Sequence, residues 1–331
     1  MRKINFILSL AAALAMVALP SCQQQKPTNT PTSGLAKVMC DESFQNILDQ
    51  EVEVFEYSYK DASIMPLYMS ESAALDSLLH QKVDLIITSR DLTQEQRDIL
   101  KGQGRAYRSR KIAVDAVAII VNKANDIDEL SMNDLRDIFT GKSAKWGKVF
   151  PTKTLKNDDI QVVFDGNGSG IVHYVKNKFL GGKEFPIKVY AQKSTDDVFK
   201  AVQAHKNAIG FIGVSWITDD LKGNQEPIEQ RVSKLNSNDP NDVTAIDFTD
   251  KIKVMKVRAE NQIQGVKPYQ AYLFDGSYPL FRTIYAIDAS AGGTLDHGFY
   301  SFLTGVIGQK IILHTGVLPA AEPIRVVEAV K

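Results

Sequence analysis

The residues best placed for chemistry in this 331-residue chain are serines that follow short apolar runs. Ser43, Ser70, Ser89 and Ser169 each stand where a strand-like run gives way to a helix start. The densest case is Gln161 to Ile171. Val162 to Phe164 reads as a strand, and Gly166, Gly168 and Gly170 put three glycines into five residues. Ile171, Tyr174, Val175 and Phe179 then recur at helical spacing until Gly181-Gly182. Glycines let backbone approach a ligand, and a helix start offers unpaired N–H groups and the positive end of its dipole. Ser169 adds a hydroxyl at the N-cap position. This is the chemistry of an anion site. Any one of these serines is also an ordinary cap, so the weight lies in four of them recurring at strand ends, where open parallel sheets bind ligands. Sharper motifs fail. A dinucleotide fingerprint needs a third glycine at Ile171, Gly141-Lys142-Ser143 lacks the upstream glycine of a phosphate loop, and Asn167 and Ile171 break a nucleophile elbow around Ser169.

The elements that must position these serines read as alternating strands and helices. Lys37 to Cys40 is a strand, and Ser43 is the expected N-cap of a helix carrying Phe44, Ile47, Leu48, Val52 and Phe55. Ile64 to Tyr68 is extended, and Ser70, with Ser72 as a competitor, opens a helix with Ala74, Leu75, Leu78 and Leu79. Val83 to Thr88 is a third strand, ending in Ser89-Arg90-Asp91, and Thr93 with Gln96 forms a capping box. Ile112 to Val121 is apolar except for Asp115 and too long for an ordinary strand, which suggests a crossing between two lobes. Caps at Ser131/Asp134 and Ser194/Asp197 open further helices, and Ala208 to Val214 is a buried strand. Residues 218–248 read as a surface loop and Ile252 to Val257 as one strand. Tyr278-Pro279-Leu280 leads into a strand, Thr283 to Ile287, that returns to the first lobe. Helices at Phe299 to Val306 and Gln309 to His314 follow, then a short apolar tail, Val326 to Val330. The alternation gives an α/β fold with mostly parallel sheets.

Basic and acidic residues balance at 39 each, so nothing in the charge points to nucleic acid. Arg2, Lys3, the apolar run Phe6 to Leu19 and Leu19-Pro20-Ser21-Cys22 form a targeting segment too short to span a bilayer. Residues 1–21 resemble a bacterial lipoprotein signal, with Cys22 as the lipidated residue; residues 22–35, rich in Pro, Thr and Ser, read as a tether. Cys40 then has no cysteine partner and reads as a buried apolar residue. The five histidines show no metal-binding spacing, so no metal and no cofactor are expected.

Several segments together resemble the phosphate-binding subunit of bacterial phosphate ABC importers. They are Asp41 to Phe44, Val83 to Leu92, Ile112 to Asn122, Leu130 to Trp146, Asp165 to Gly170, Ala208 to Val214, Tyr278 to Leu280 and Gly308 to Pro319. The resemblance implies the two-lobe type II periplasmic-binding-protein fold, with residues 36–117 plus 276–331 in one lobe, 118–275 in the other, and a phosphate or related oxyanion in the cleft. It places ligand contacts at Ser43, the Phe44 N–H, Ser70, Ser169 and the Gly170 N–H, and Ser89 joins them as a candidate at the end of the third strand. It also implies an exported, lipid-anchored monomer in the periplasm or cell envelope that serves an inner-membrane ABC permease and catalyses nothing. Three departures stand out: Asp165 occupies the place of the family's arginine, Ile171 that of its usual threonine, and Ser89 that of the acidic residue that accepts a phosphate proton. Arg90 is then the expected replacement cation, and Asp91 or Asp165 the acceptor of a ligand proton. The competing readings are a binder of another oxyanion, a scavenger or sensor, a surface lipoprotein whose cleft has lost its ligand, and a serine hydrolase using Ser169.

Overall fold

The computed structural model describes residues 29–166, 168–218, 226–236 and 248–321. The targeting segment, Cys22, most of the tether and the tail at 326–330 lie outside the described residues.

The first lobe opens with three strands: β1 (Gly34–Asp41), β2 (Ala62–Met69) and β3 (Leu85–Thr88). β1 pairs in parallel with both of the others. Such pairing requires a crossover after each strand, supplied here by α1 (Gln45–Ser58) and α2 (Glu71–Leu79). β2 contains Pro66 and lies at the sheet edge, where a missing N–H donor is tolerated. α3 (Gln94–Gly102) opens on the Thr93/Gln96 capping box that its sequence announces.

β4 (Arg108–Val121) leads out of this lobe, and its ten residues from Ile112 onward are all buried. In the second lobe lie β5 (Glu129–Ser131), α4 (Met132–Phe139), α5 (Trp146–Val149), β6 (Gln161–Phe164), α6 (Gly170–Leu180), β7 (Val189–Ala191), α7 (Thr195–Ala204) and β8 (Ala208–Gly213). α6 ends where Gly181 adopts φ 59°, a left-handed cap that glycine takes without strain. α8 (Ile228–Asn236), β9 (Lys253–Val254), β10 (Lys256–Arg258) and α9 (Gln270–Phe274) follow. Then come β11 (Phe281–Asp288), α10 (Leu295–Leu303), α11 (Val306–His314) and β12 (Leu318–Pro319).

The main sheet runs β2-β1-β3-β11-β4-β8-β6-β7. It is parallel toward both ends and antiparallel in the middle, because β4 pairs with β11 through its first half and with β8 through its second. One long strand thus belongs to both lobes. The Tyr278-Pro279-Leu280 segment is tied to its midpoint: the buried Tyr278 hydroxyl donates to the Val117 carbonyl at 2.8 Å, and the Val117 N–H donates to the Leu280 carbonyl at 2.8 Å.

Three local expectations change. Ser43 is not a helix cap: Asp41 caps a single 3-10 turn, Glu42–Phe44, that precedes α1, and Ser43 lies inside it. Part of 218–248 is helical, because Leu235 of α8 finds Val54 and Ile311 to pack against. The run 252–257 divides into β9, on the main sheet beside β4, and β10, on a small sheet with β5. All its apolar residues are buried in either place, so periodicity did not show the break.

The core holds one costly residue. Glu51 of α1 is fully buried beside Phe44, Leu48, Ile112 and Ile284, and neither carboxylate oxygen has a hydrogen-bond partner among the described residues. Burial pushes its carboxyl well above the usual range. The unfolded chain releases this proton near pH 4 while the folded chain keeps it. The contribution of Glu51 to stability therefore declines as pH rises from there toward the folded value. Glu51→Met is expected to stabilise the fold by about 1–3 kcal/mol at pH 8. The gain should shrink toward pH 4, as measured by thermal or denaturant unfolding at the two pH values.

Candidate functional site

At the carboxyl end of β1 the chain reverses on one side chain. Asp41 is fully buried, and its Oδ1 accepts the Ser43 N–H at 2.9 Å and the Ser43 hydroxyl at 2.6 Å. The tight turn buries Ser43 and Phe44, and α1 begins with no side-chain cap on its N–H groups. Ser70, after β2, caps α2 by accepting the Ala73 N–H at 3.4 Å, whereas Ser72 is exposed. Ser89, after β3, donates both its N–H and its hydroxyl to the buried carboxylate of Glu71. Arg90 is drawn to that same carboxylate through Nε at 3.2 Å, and its Nη1 reaches Gln96 Oε1 at 3.2 Å. Asp91 is held by Arg97, Ser109 and the Leu92 N–H. Arg90 and Asp91 are thus engaged within the first lobe.

The second lobe brings the glycine loop onto these strand ends. Ser169 caps α6 by accepting the Val172 N–H at 3.2 Å. The Gly170 N–H crosses the cleft to Asp41 Oδ2 at 2.8 Å. A Cβ at Gly170 would lie 2.4 Å from that oxygen, 2.9 Å from Ser89 Oγ and 3.1 Å from Arg282 Nη1. One at Gly168 would lie 3.0 Å from Ser70 Cβ. The glycines are therefore needed for close approach: Gly170 comes up against Asp41, Ser89 and Arg282, and Gly168 against Ser70. Ile171 turns into the core instead. Trp216 Nε1, donating to the Ser43 carbonyl at 3.0 Å, and Asn46 Nδ2, donating to the Ser215 carbonyl at 3.3 Å, also join the lobes.

Arg282 was missed by the sequence reading. It lies on β11, 4% exposed, with Nε and Nη2 on Asp115 Oδ2 at 3.0 and 2.8 Å and its Cζ 4.2 Å from the centre of the Phe44 ring. Asp115 Oδ1 accepts the Val214 N–H at 3.1 Å. Nη1 is buried without a partner among the described residues and faces the start of α6. A signal was available: Asp115 interrupts one apolar strand and Arg282 another, and the two sit opposite each other in the β4–β11 register.

The profile of the PBP superfamily domain matches residues 25–306. This chain belongs to the PBP superfamily. The Staphylococcus aureus phosphate-binding protein PstS is 23% identical to it over 258 residues, 78% of this chain and 69% of that protein. The PstS of Staphylococcus saprophyticus is 23% identical over 265 residues, 80% of this chain and 73% of that one. Among solved structures, a Clostridium perfringens substrate-binding protein assigned to a phosphate ABC transporter, with phosphate bound, superposes with TM-score 0.67 at 21% identity. It covers 87% of this chain and 100% of its own. A phosphate transport receptor from Vibrio cholerae gives TM-score 0.58 at 18% identity over 86% and 100%. The shared fold is the two-lobe type II architecture of the PBP superfamily.

The cleft brings three buried aspartates, Asp41, Asp115 and Asp165, close to Arg282. Burial raises the carboxyl of Asp41, and Arg282 and the Ser43 hydrogen bonds pull it back. Burial likewise raises Asp115, again opposed by Arg282. Asp165 is pushed up to about 7, by burial first, with the Ser169 hydroxyl lowering it and Asp41 and Glu42 raising it. By strict geometry neither of its oxygens has a hydrogen-bond partner among the described residues, so the Ser169 hydroxyl acts on it only weakly. Near neutral pH it is therefore poised to give or take one proton. Cys40 is buried and free, and burial keeps its thiol protonated. No group of three or more His, Cys, Asp or Glu side chains among the described residues suits a metal ion. No described helix is long and apolar enough to cross a membrane.

Because a Cβ at Gly170 meets three cleft groups at once, Gly170→Ala is expected to push the lobes apart. The strain should cost about 1–3 kcal/mol, and small-angle scattering should record a larger radius of gyration than for the wild type. An unchanged radius would mean that the cleft absorbs the methyl group.

Proposed function

We propose that this protein is a lipid-anchored solute-binding protein that captures inorganic phosphate between its lobes and delivers it to an inner-membrane ABC permease. The observation that carries the reading is Arg282 Nη1, a buried cationic donor without a partner among the described residues, beside the Gly170 N–H at the start of α6. A buried N–H donor on a fixed guanidinium, next to a helix N-terminus, suits a tetrahedral oxyanion that accepts several hydrogen bonds. The phosphate-binding names of the related proteins support the choice of ligand.

In this reading the Ser43 hydroxyl and Phe44 N–H contribute from the first helix start, and Ser70 and Ser89 from the next two strand ends. Ser169 and the Gly170 N–H contribute from the second lobe. Arg282 supplies the positive charge that Asp165 removes from the glycine loop. Arg90 positions Ser89 through their shared Glu71 instead of touching the ligand. Asp165 shares a proton with the anion: below about pH 7 it donates one, and as a carboxylate it accepts the proton of monohydrogen phosphate. Above about pH 7, where Asp165 is ionised, sulfate brings no proton and meets a repelling carboxylate. Binding and release involve lobe movement only, with no bond made or broken. The chain works as a monomer held at the cell envelope or periplasm through Cys22, an assignment that rests on its sequence.

Titration calorimetry on protein lacking residues 1–22, refolded to strip anions, tests this directly. Phosphate should bind and sulfate should not compete; no heat from phosphate sinks the reading. Arg282→Lys keeps the charge and loses the planar fork, and should weaken binding by about tenfold or more. Arg90→Ala should have the smaller effect. Asp165 loses its proton as pH rises through about 7, so affinity should fall across that range, and by less in Asp165→Asn.

A further inference from the structure

The last residues of the tether are packed onto the first lobe. Asn29 Oδ1 accepts the Leu295 N–H at 2.7 Å, filling one of the open donors at the start of α10. Thr30 and Ser33 pair through their backbones and hydroxyls, which folds Pro31-Thr32 into a turn. That turn lies on Gly298 of α10, where a Cβ would collide with the Pro31 carbonyl. The Gly34 N–H then donates to the Asp61 carbonyl at 2.9 Å, and β1 begins. The chain thus enters the fold at the amino end of β1, which the register sets level with the amino end of β2. The cleft lies beyond Asp41 at the other end, about 23 Å along the strand. Around the entry the surface is both apolar and basic. On one face of β1 and β2, Leu35 and Met65 are exposed beside Lys37. Tyr59 and Lys60 are exposed where α1 leads into β2, and Lys82 where α2 leads into β3. Asp61 is exposed among them, and Asp84 is taken up by Arg105.

We propose that this base of the first lobe is a membrane-contact surface, which rests on anionic lipid headgroups when Cys22 carries lipid and turns the cleft away from the bilayer. Chain length is the first argument. Seven residues, Cys22 to Thr28, join the lipid site to Asn29, and seven residues span at most about 25 Å. Residues 29–33 add nothing to that reach while they are packed on α10. The base is therefore held within that distance of the lipid, and the cleft is farther by the length of β1. Chemistry is the second argument. Lysines near an anionic bilayer are attracted to it, and tyrosine suits the headgroup level. Leu35 and Met65 add apolar contact. A lipid chain and a basic patch together hold a protein to a membrane more firmly than either alone. The contact of the base is reversible and salt-sensitive, so the protein leaves the surface to meet a permease while the lipid retains it. This inference rests on the lipid-anchor part of the reading above and is independent of the ligand.

The test couples the chain that starts at Cys22 to a maleimide-bearing lipid in vesicles of phosphatidylglycerol and phosphatidylcholine. Cys40 is buried, so Cys22 is the thiol that reacts. Lysines are then acetylated with a water-soluble reagent and read by mass spectrometry, on vesicles and in solution. Lys37, Lys60 and Lys82 should be slowed about threefold or more on the vesicles, while the exposed Lys142 and Lys200 of the second lobe should react as in solution. The second measurement is co-sedimentation of protein lacking residues 1–22 with the same vesicles. The triple variant Lys37→Gln, Lys60→Gln, Lys82→Gln should bind about tenfold more weakly than the wild type. Equal slowing at Lys142 and Lys200, or no slowing anywhere, overturns the proposal, as does a triple variant that binds like the wild type. In cells, Cys22→Ala should release the protein from the membrane fraction. If it does not, the lipid-anchor reading fails, and the vesicle assay, which supplies its own lipid, still decides whether the base is the contact surface.

Discussion

The pairing of Arg282 with Asp115 is the interaction on which the cleft depends. It joins β11 to β4, the strand common to both lobes, and it does so with two fully desolvated charges. Removing two ions from water costs several kcal/mol each, and a well-packed apolar pair would serve stability as well or better. The arrangement makes sense through what it leaves over. With Nε and Nη2 committed to Asp115 and the planar group stacked on Phe44, Nη1 is fixed in direction and has no partner among the described residues. The pair thus acts as a mount for one donor, aimed at the start of α6.

The rest of the site is arranged around that donor by close backbone approach. Gly170 and Gly168 allow the second lobe to touch the ends of β1, β2 and β3, and neither tolerates a side chain without displacing a cleft group. Glu71 orders the third strand end by gathering Ser89 and Arg90 onto one buried carboxylate. The cleft consequently holds more buried acid than base, with Asp41, Asp115 and Asp165 near a single guanidinium. Burial raises all three carboxyls against the pull of Arg282, and pushes Asp165 to about 7.

Much of the fold was legible because its signals are local. Capping at Ser70, Thr93, Ser131, Ser169 and Ser194 depends on a hydrogen bond within three residues, so sequence and structure agree there. The length of Ile112 to Val121 announced a strand shared by two lobes. Ser43 misled because a serine before a helical run looks like a cap, whereas Asp41, two residues earlier, accepts the Ser43 N–H and hydroxyl and draws Ser43 into a 3-10 turn ahead of α1. α8 was invisible because its helical face is short and its apolar partners, Val54 and Ile311, come from far away in the chain.

The sequence by itself determined the alternation of elements, the serine and glycine positions at strand ends and the type of chemistry they suit, since all of these follow from periodicity and backbone preference over a few residues. Only the tertiary structure decided which charge belongs to which. Arg90 and Arg282 are both single arginines near strand ends in the sequence. Folding places Glu71 and Gln96 around the first, and leaves one nitrogen of the second, beside Gly170, without a partner among the described residues. The pairing of buried charges depends on contacts such as Arg282 with Asp115, 167 residues apart, and on the loss of water around them, and neither is written in any short stretch of chain.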